Sequence, residues 1–180
     1  MQNFWSEPIL HLPEMASSLA RAMEMCQYLM EQEGYVEGTT VVVVLGSGVY
    51  EVVGSWTYSS GTTYQKTLSV PCDNLSFVGQ GERETIVVGC IAVENGRKVH
   101  FEELTMKSGF GLVAFGAGTE VDLQRVTVEE CQRVGVFVRD GAKLVATDCQ
   151  FHQKRREWGD RAGIHDDRPS HQLHFSPQQV

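Results

Sequence analysis

Three stretches of this chain repeat one spacing of apolar residues. Residues 99–106, 121–128 and 144–151 each carry an apolar side chain at the first, third, sixth and eighth positions. Four columns result: Val99/Val121/Leu144, Phe101/Leu123/Ala146, Leu104/Val126/Cys149 and Met106/Val128/Phe151. The stretches are offset by 22 and 23 residues, and Leu75 and Phe77 extend the first two columns upstream at an offset of 24.

A second short apolar stretch precedes each of these, and the joint between the two always contains glycine. The pairs are Ile91 and Val93, Leu112 and Ala114, and Val136 and Val138. A period of 22–24 residues with short strands is typical of a parallel β-solenoid, because one coil cannot bury its inward side chains and stacked coils can. A leucine-rich repeat has a similar period, but its LxxLxL-plus-Asn pattern is missing. A β-sandwich would not hold columns at a fixed offset.

The chain divides into four segments. We expect an irregular segment over 1–16, a helix over 17–34, a parallel β-helix over 35–151, and an irregular tail or incomplete last coil over 152–180. The helix is predicted from the i, i+3, i+4, i+7 spacing of Leu19, Ala22, Met23 and Cys26, with Ser17 or Ser18 as the cap and Gly34 at its end. It would cover the open first coil.

The order of these segments resembles a known superfamily. The helical residues 19–30 precede a VVVVLGSGVY run over 41–50, and Phe77-Val-Gly-Gln-Gly81 follows before the repeats. This arrangement resembles right-handed parallel β-helix proteins of the pectin-lyase-like superfamily, in particular the CASH/NosD-type and F-box-associated β-helix domains. The resemblance covers about residues 17–151. It implies an all-β, right-handed parallel β-helix with an N-terminal capping helix.

The resemblance does not fix an activity, because the superfamily includes lyases, hydrolases, epimerases, adhesins and inert scaffolds. Its pectate lyases use several Asp for calcium with an Arg base, its polygalacturonases use NTD, DD, GHG and RIK, and its mannuronan epimerases use DPH. None of these sets is intact here, and the DD pair Asp166-Asp167 lies in the tail without the other elements. We therefore expect a non-catalytic module that binds carbohydrate or a protein partner along its side. A polysaccharide lyase or glycoside hydrolase is the alternative, and a structural spacer a third possibility.

The outward residues of the repeats are the first candidate site. Glu103, Arg125 and Asp148 share one column, so they are expected to be stacked on one outer face about 4.8 Å apart. They are weak catalytic candidates, as an acid, a base and an electrophile, because exposed ion pairs are common and usually inert, which favours an inert ladder of alternating charges. His100 and Asp122 on the same stripe are binding candidates.

Two other groups of residues are candidates for ligand binding or metal binding. Trp56, Tyr58 and Tyr64 lie in the SWTYSSGTTY insertion, where exposed aromatic rings would stack on sugars or partner proteins. The alternative is that they pack beneath their own loop. In the tail, His165, Asp166, His171 and His174 are weak metal-ligand candidates, but their spacing matches no known ligand set. We predict no metal and no cofactor.

Net charge, apolar runs and cysteine content limit the classes of partner and the compartment that we expect for this protein. A formal charge of −8 disfavours nucleic acid and anionic membranes as partners. No apolar run approaches a membrane span of about 18 residues, and the start shows no secretory signal pattern. Five cysteines without a CxxC pair suggest reduced thiols, so we expect a cytoplasmic location. Because no cap pattern follows the last repeat, either the chain belongs to a longer solenoid or a partner chain covers that end.

Overall fold

The computed structural model describes residues 8–12, 18–32, 35–36, 38–58, 61–131 and 135–152. Within them the chain forms one helix and 13 strands. In chain order these are β1 (Ile9–Leu12), α1 (Leu19–Met30), β2 (Val41–Leu45), β3 (Gly48–Glu51), β4 (Ser55–Thr57), β5 (Thr63–Gln65), β6 (Thr67–Ser69), β7 (Leu75–Val78), β8 (Thr85–Val93), β9 (Lys98–Phe115), β10 (Glu120–Glu129), β11 (Val136–Arg139), β12 (Lys143–Thr147) and β13 (Gln150–His152).

The strands stack into a parallel β-solenoid of about four turns, as the repeat predicts. Its ladders form three faces. Face 1 comprises β1, β2, β7 and β12 with residues 98–102 of β9 and 120–124 of β10. Face 2 comprises β3 and β13 with residues 85–88, 104–107 and 126–129 of β8, β9 and β10. Face 3 comprises β6 and β11 with residues 90–93 and 111–115 of β8 and β9.

The pairing register confirms that the apolar columns stack. Val121 pairs with Val99 on one side and Leu144 on the other, and Leu123 lies likewise between Phe101 and Ala146. Upstream, Phe77 pairs with Phe101, and their rings stack with centroids 5.0 Å apart. Inward residues of the middle coils are buried, which produces one continuous apolar core along the solenoid.

Strand alternation breaks at the corner between faces 1 and 2. Phe101 and Leu104 both point inward although three positions separate them, so Glu102 and Glu103 both lie on the outside. The chain makes this bend with a left-handed backbone at Glu103, where φ is 56°, and Arg125 and Asp148 repeat it with φ of 50° and 53°. The column predicted to lie on one outer face is therefore a column of corner residues.

The last described coil is less well buried than the repeat predicts. Val136, Val138, Leu144, Ala146 and Cys149 are only partly buried, and Phe151 is 42% exposed. The cause is that β12 and β13 pair only with β10 within the described residues. The predicted tail lies outside those residues, apart from His152 at the end of β13.

The N-terminal segment differs from the predicted irregular one, because it contains β1. Leu10 and Leu12 are buried while Ile9 and His11 are exposed, which is the alternation of a strand with one side on a core. This strand pairs in parallel with β2 and extends face 1 by one strand. Proline residues at 8 and 13 bound it, and they obscured it in the sequence.

Helix α1 packs against the same core as β1 and β2. Its buried residues are the predicted Leu19, Ala22, Met23 and Cys26. The Ser18 side chain accepts a hydrogen bond from the Arg21 backbone N–H at 3.2 Å, so Ser18 is the N-cap. The helix ends at Met30, and Gly34 lies outside the described residues. Among those residues no helix has the length and apolar character needed to span a membrane.

Candidate functional site

Face 3 is covered on its outside by the β4–β5 hairpin. Trp56 from this hairpin is only 7% exposed, and its ring contacts Tyr64 at a centroid distance of 5.5 Å and Phe115 of face 3 at 5.3 Å. Tyr58 lies 4.7 Å from the same Phe115 ring. Trp56 thus packs beneath its own loop, while Tyr58 and Tyr64 are half-buried.

Hydrogen bonds fix this hairpin to distant coils. The Trp56 Nε1 group donates to Glu94 Oε1 at 3.2 Å. The Tyr58 hydroxyl donates to Asp140 Oδ2 at 2.7 Å, across 82 residues of sequence. The hairpin leaves the first coil between β3 and β6 and reaches the turn after β11. It therefore spans the outside of face 3 from β6 to β11.

Face 2 is partly covered by residues 79–84, which we call the face-2 strap. Ser47 donates to Gln80 Oε1 at 2.9 Å, which ties the strap to the first coil. The Thr105 hydroxyl donates to the Glu82 carbonyl, and the Thr127 hydroxyl donates to Glu82 Oε2 at 2.8 Å. Both threonines point outward from the solenoid, yet both are buried because the strap lies over them.

Beside the strap lies a polar cleft of about 320 Å³. Lys107 Nζ on its floor is 2.7 Å from Glu129 Oε1, and this hydrogen bond raises the lysine pKa above its ordinary value. His152 and Gln150 bond to each other at its far end. This cleft was not predicted from the sequence, because the strap falls in a turn rather than in the repeated columns.

We predict that the strap stabilises the solenoid through Thr127. Thr127→Val removes the bond to the Glu82 carboxylate and should lower the free energy of unfolding by about 1 kcal/mol. Thr147→Val is the matched control, because Thr147 is exposed on face 1, and it should change stability by less than about 0.5 kcal/mol. Urea unfolding measures the free energy of unfolding of both variants. Equal losses would show that the bond from Thr127 to Glu82 does not stabilise the solenoid.

Face 1 has a groove of about 470 Å³ on its outside. The lining comes from adjacent coils at the beginning of their face-1 strands: Thr40, Asn74, Leu75, Lys98, Val99, His100, Glu120, Val121, Asp122, Lys143 and Val145. Two of these, His100 and Asp122, are predicted binding residues. The groove therefore lies where the parallel columns meet the turns that precede them.

Ionisable side chains form a connected row from this groove to the face 1–face 2 corner. His100 Nδ1 lies 3.0 Å from Asp122 Oδ2, and its Nε2 lies 3.5 Å from Glu102 Oε2. Arg125 donates from Nη2 to Glu102 and from Nε to Glu103. We call these five residues the face-1 row. It contains the predicted binding residues His100 and Asp122 and two residues of the predicted column, Glu103 and Arg125, which Glu102 connects.

Asp148, the third member of the predicted corner column, does not join the row. It is exposed, and within the described part of the chain it has no ion pair within 4.0 Å. A second column at the other side of face 1 alternates in sign. Glu120 lies 3.9 Å from Lys98 Nζ and 3.5 Å from Lys143 Nζ.

The environment of Arg125 is unsuited to a catalytic base. Its hydrogen bond to Glu103, and then the charges of Glu103 and Glu102, raise the guanidinium pKa above its ordinary value. A raised pKa favours the protonated form, which has no proton-accepting lone pair to offer a substrate. Arg125 is thus positioned as a fixed cation between two carboxylates.

The thiols are also poor nucleophiles. All five cysteines are free, and burial raises the pKa of Cys26 to about 12, that of Cys72 to about 11 and that of Cys90 to about 12. At neutral pH they are therefore thiols rather than thiolates. The described residues contain no group of three or more His, Cys, Asp or Glu side chains arranged to hold a metal ion. The tail candidates His165, Asp166, His171 and His174 lie outside those residues.

Comparisons of this chain with protein-family models, with curated proteins and with solved structures found no match.

Proposed function

We propose that this protein is a non-catalytic right-handed β-helix module that binds carbohydrate along face 1. One observation carries the proposal. Face 2 lies partly under its strap and face 3 under its hairpin, whereas face 1 presents a groove together with the connected row that runs from Asp122 to Glu103. An open polar surface with ordered side chains is the kind of surface that an extended ligand can contact over several coils.

The row favours binding because its side chains are already positioned. Ion pairs and hydrogen bonds to neighbours hold His100, Glu102 and Arg125 in place, so a ligand would not have to order them. Carboxylate oxygens accept hydrogen bonds, and the Lys98 and Lys143 ammonium groups donate them. Sugar hydroxyls do both, which suits a surface where donors and acceptors alternate.

We also propose that the solenoid is right-handed, that its coils here have 22 and 23 residues, and that it belongs to the pectin-lyase-like superfamily. Parallel strands joined by crossover connections are right-handed in about 98% of cases, which supports a right-handed coil. The pairing of Val99 with Val121 and of Val121 with Leu144 supports coils of 22 and 23 residues in this part of the chain. Together with the resemblance of residues 17–151, these features support a place in the pectin-lyase-like superfamily.

Binding without turnover is favoured over a lyase or a hydrolase. A lyase needs a proton-abstracting base, and Arg125 is held as a cation by Glu102 and Glu103. A hydrolase needs one carboxyl group as proton donor and another as base or nucleophile. On face 1, Asp122 and Glu102 are bound to His100, and Glu103 to Arg125.

The test is a glycan array followed by calorimetry and a reducing-sugar assay on the full chain. His100→Ala should weaken binding by about tenfold or more, because it removes the side chain that links Asp122 to Glu102. His152→Ala is the matched control on face 2 and should leave the affinity within about twofold. Equal losses of affinity in the two variants would show that the ligand does not bind on face 1. Turnover would establish the enzyme alternative, and no glycan binding at all would overturn the proposal.

A further inference from the structure

We infer that the carbohydrate bound in the face-1 groove is uncharged, and that acidic polysaccharides are rejected. This inference rests on the proposed function and specifies the ligand class of the same groove. It follows from the arrangement of charges within the groove, from the charges next to it, and from the apolar part of its lining.

The charges that line the groove are balanced, and each has an oppositely charged or hydrogen-bonding neighbour. Two cations, Lys98 and Lys143, share the carboxylate of Glu120 between them. The second acid, Asp122, is bound to His100 at 3.0 Å. Two lysines and two acidic residues line the groove, so their formal charges cancel. An acidic sugar would therefore have to compete with the Glu120 carboxylate for these two cations.

The surroundings add negative charge rather than positive. Beyond the groove the row contains Glu102 and Glu103 against the single cation Arg125, and exposed Asp148 lies at the same corner. The whole chain has a formal charge of −8. A polyanion laid along face 1 would meet this field over several coils, and like-charge repulsion is an effective way to reject a ligand.

The remaining lining suits a sugar ring without a charged group. Val145 is 59% exposed in the groove and gives an apolar surface beside Asp122, with which it is paired in register. A pyranose ring has apolar C–H surfaces and a hydroxylated edge. The C–H surface can pack on Val145 while hydroxyls bond to the paired Lys98, Glu120 and Asp122 side chains, which combines apolar contact with a few fixed polar groups.

The experiment compares oligosaccharides that share backbone and linkage and differ only in their carboxyl groups. Suitable pairs are oligogalacturonides with free and with methyl-esterified carboxyls, and cello-oligosaccharides with and without carboxymethyl groups. In at least one pair the neutral member should bind about tenfold tighter by calorimetry. Raising NaCl from about 50 to about 500 mM should change its affinity by less than about twofold.

Each other outcome has a distinct meaning. Tighter binding of the charged member would overturn this inference and leave the proposed carbohydrate binding intact. Binding of neither member of any pair would overturn the proposed function itself. The variant that combines Glu120→Gln with Asp122→Asn leaves two uncompensated lysines and should raise the affinity for charged members by about tenfold. Glu51→Gln, at an exposed position of face 2, is the control, and equal responses of the two variants would contradict the electrostatic cause.

Discussion

Val126→Asp is expected to unfold the protein at neutral pH. Val126 is fully buried in the third apolar column, next to Leu104 of the preceding coil. An unpaired carboxylate there costs several kcal/mol, which is comparable with a total stability of about 5–15 kcal/mol. Circular dichroism and urea unfolding should show a chain that is unfolded or severely destabilised. An unchanged melting temperature would contradict the inward assignment of the column.

Two controls isolate the cause of this effect. Val145→Asp makes the same substitution at an exposed position of face 1 and should change stability by less than about 0.5 kcal/mol. In the Val126→Asp variant, burial would raise the carboxyl pKa in the folded state above its unfolded value. The folded state would then bind more protons, so the damage should lessen as the pH falls through that raised pKa.

Gly79→Ala is expected to be nearly as damaging, because the backbone of the neighbouring coil leaves no room for a side chain. A Cβ at Gly79 would lie 2.2 Å from the carbonyl oxygen of Glu103 and 2.9 Å from Thr85 Cβ. A backbone oxygen cannot rotate away as a side chain can, so the coils themselves must separate. We expect a loss of about 3 kcal/mol or more in urea unfolding.

Gly48→Ala is the control for this substitution. Nothing lies within 4 Å of a Cβ at Gly48, but its φ of 142° is one that residues with side chains rarely adopt. Its cost is therefore conformational alone and should be about 1 kcal/mol. If Gly79→Ala cost no more than Gly48→Ala, close packing of the coils at Gly79 would not be the reason for glycine there.

The sequence predicts the solenoid because its core is made of repeated contacts. Val99, Val121 and Leu144 each need a neighbour one coil away, and the constant offset between them reveals that neighbour directly. The corner at Glu103 was also encoded, in the three-residue step between Phe101 and Leu104. Strand alternation alone gives the inward column but not the left-handed backbone that makes the bend.

The sequence did not predict the segments that lie over the faces. Trp56 and Tyr58 belong to an insertion without a counterpart in other coils, so no offset indicates that they meet Phe115. The bond between Glu82 and Thr127 likewise joins a turn to a strand two coils away. Such contacts depend on the path of single loops, which periodicity does not report.

The candidate site was predicted in part: more fully than the segments that lie over the faces, and less fully than the solenoid. His100 and Asp122 were identified because they lie 22 residues apart in the repeated stripe, and they do meet. The expected ladder of Glu103, Arg125 and Asp148 was only partly informative, because Arg125 turns to Glu102 and Glu103 rather than to Asp148. Neighbouring carboxylates, here Glu102, Glu103 and Asp148, compete for the Arg125 guanidinium. The column pattern alone does not show which of them form the ion pairs.

The hairpin and the strap change how this solenoid should be regarded as a folding unit. In an array whose repeats touch only their neighbours, stability is a sum of local terms and the ends can fray independently. Here Tyr58 bonds to Asp140, and Glu82 bonds to Thr127, so segments from the early coils hold the late ones. The last described coil cannot detach without breaking the bond from Tyr58 to Asp140. Such long-range closure couples the coils into one cooperative unit, at the cost of the slower folding that distant contacts impose.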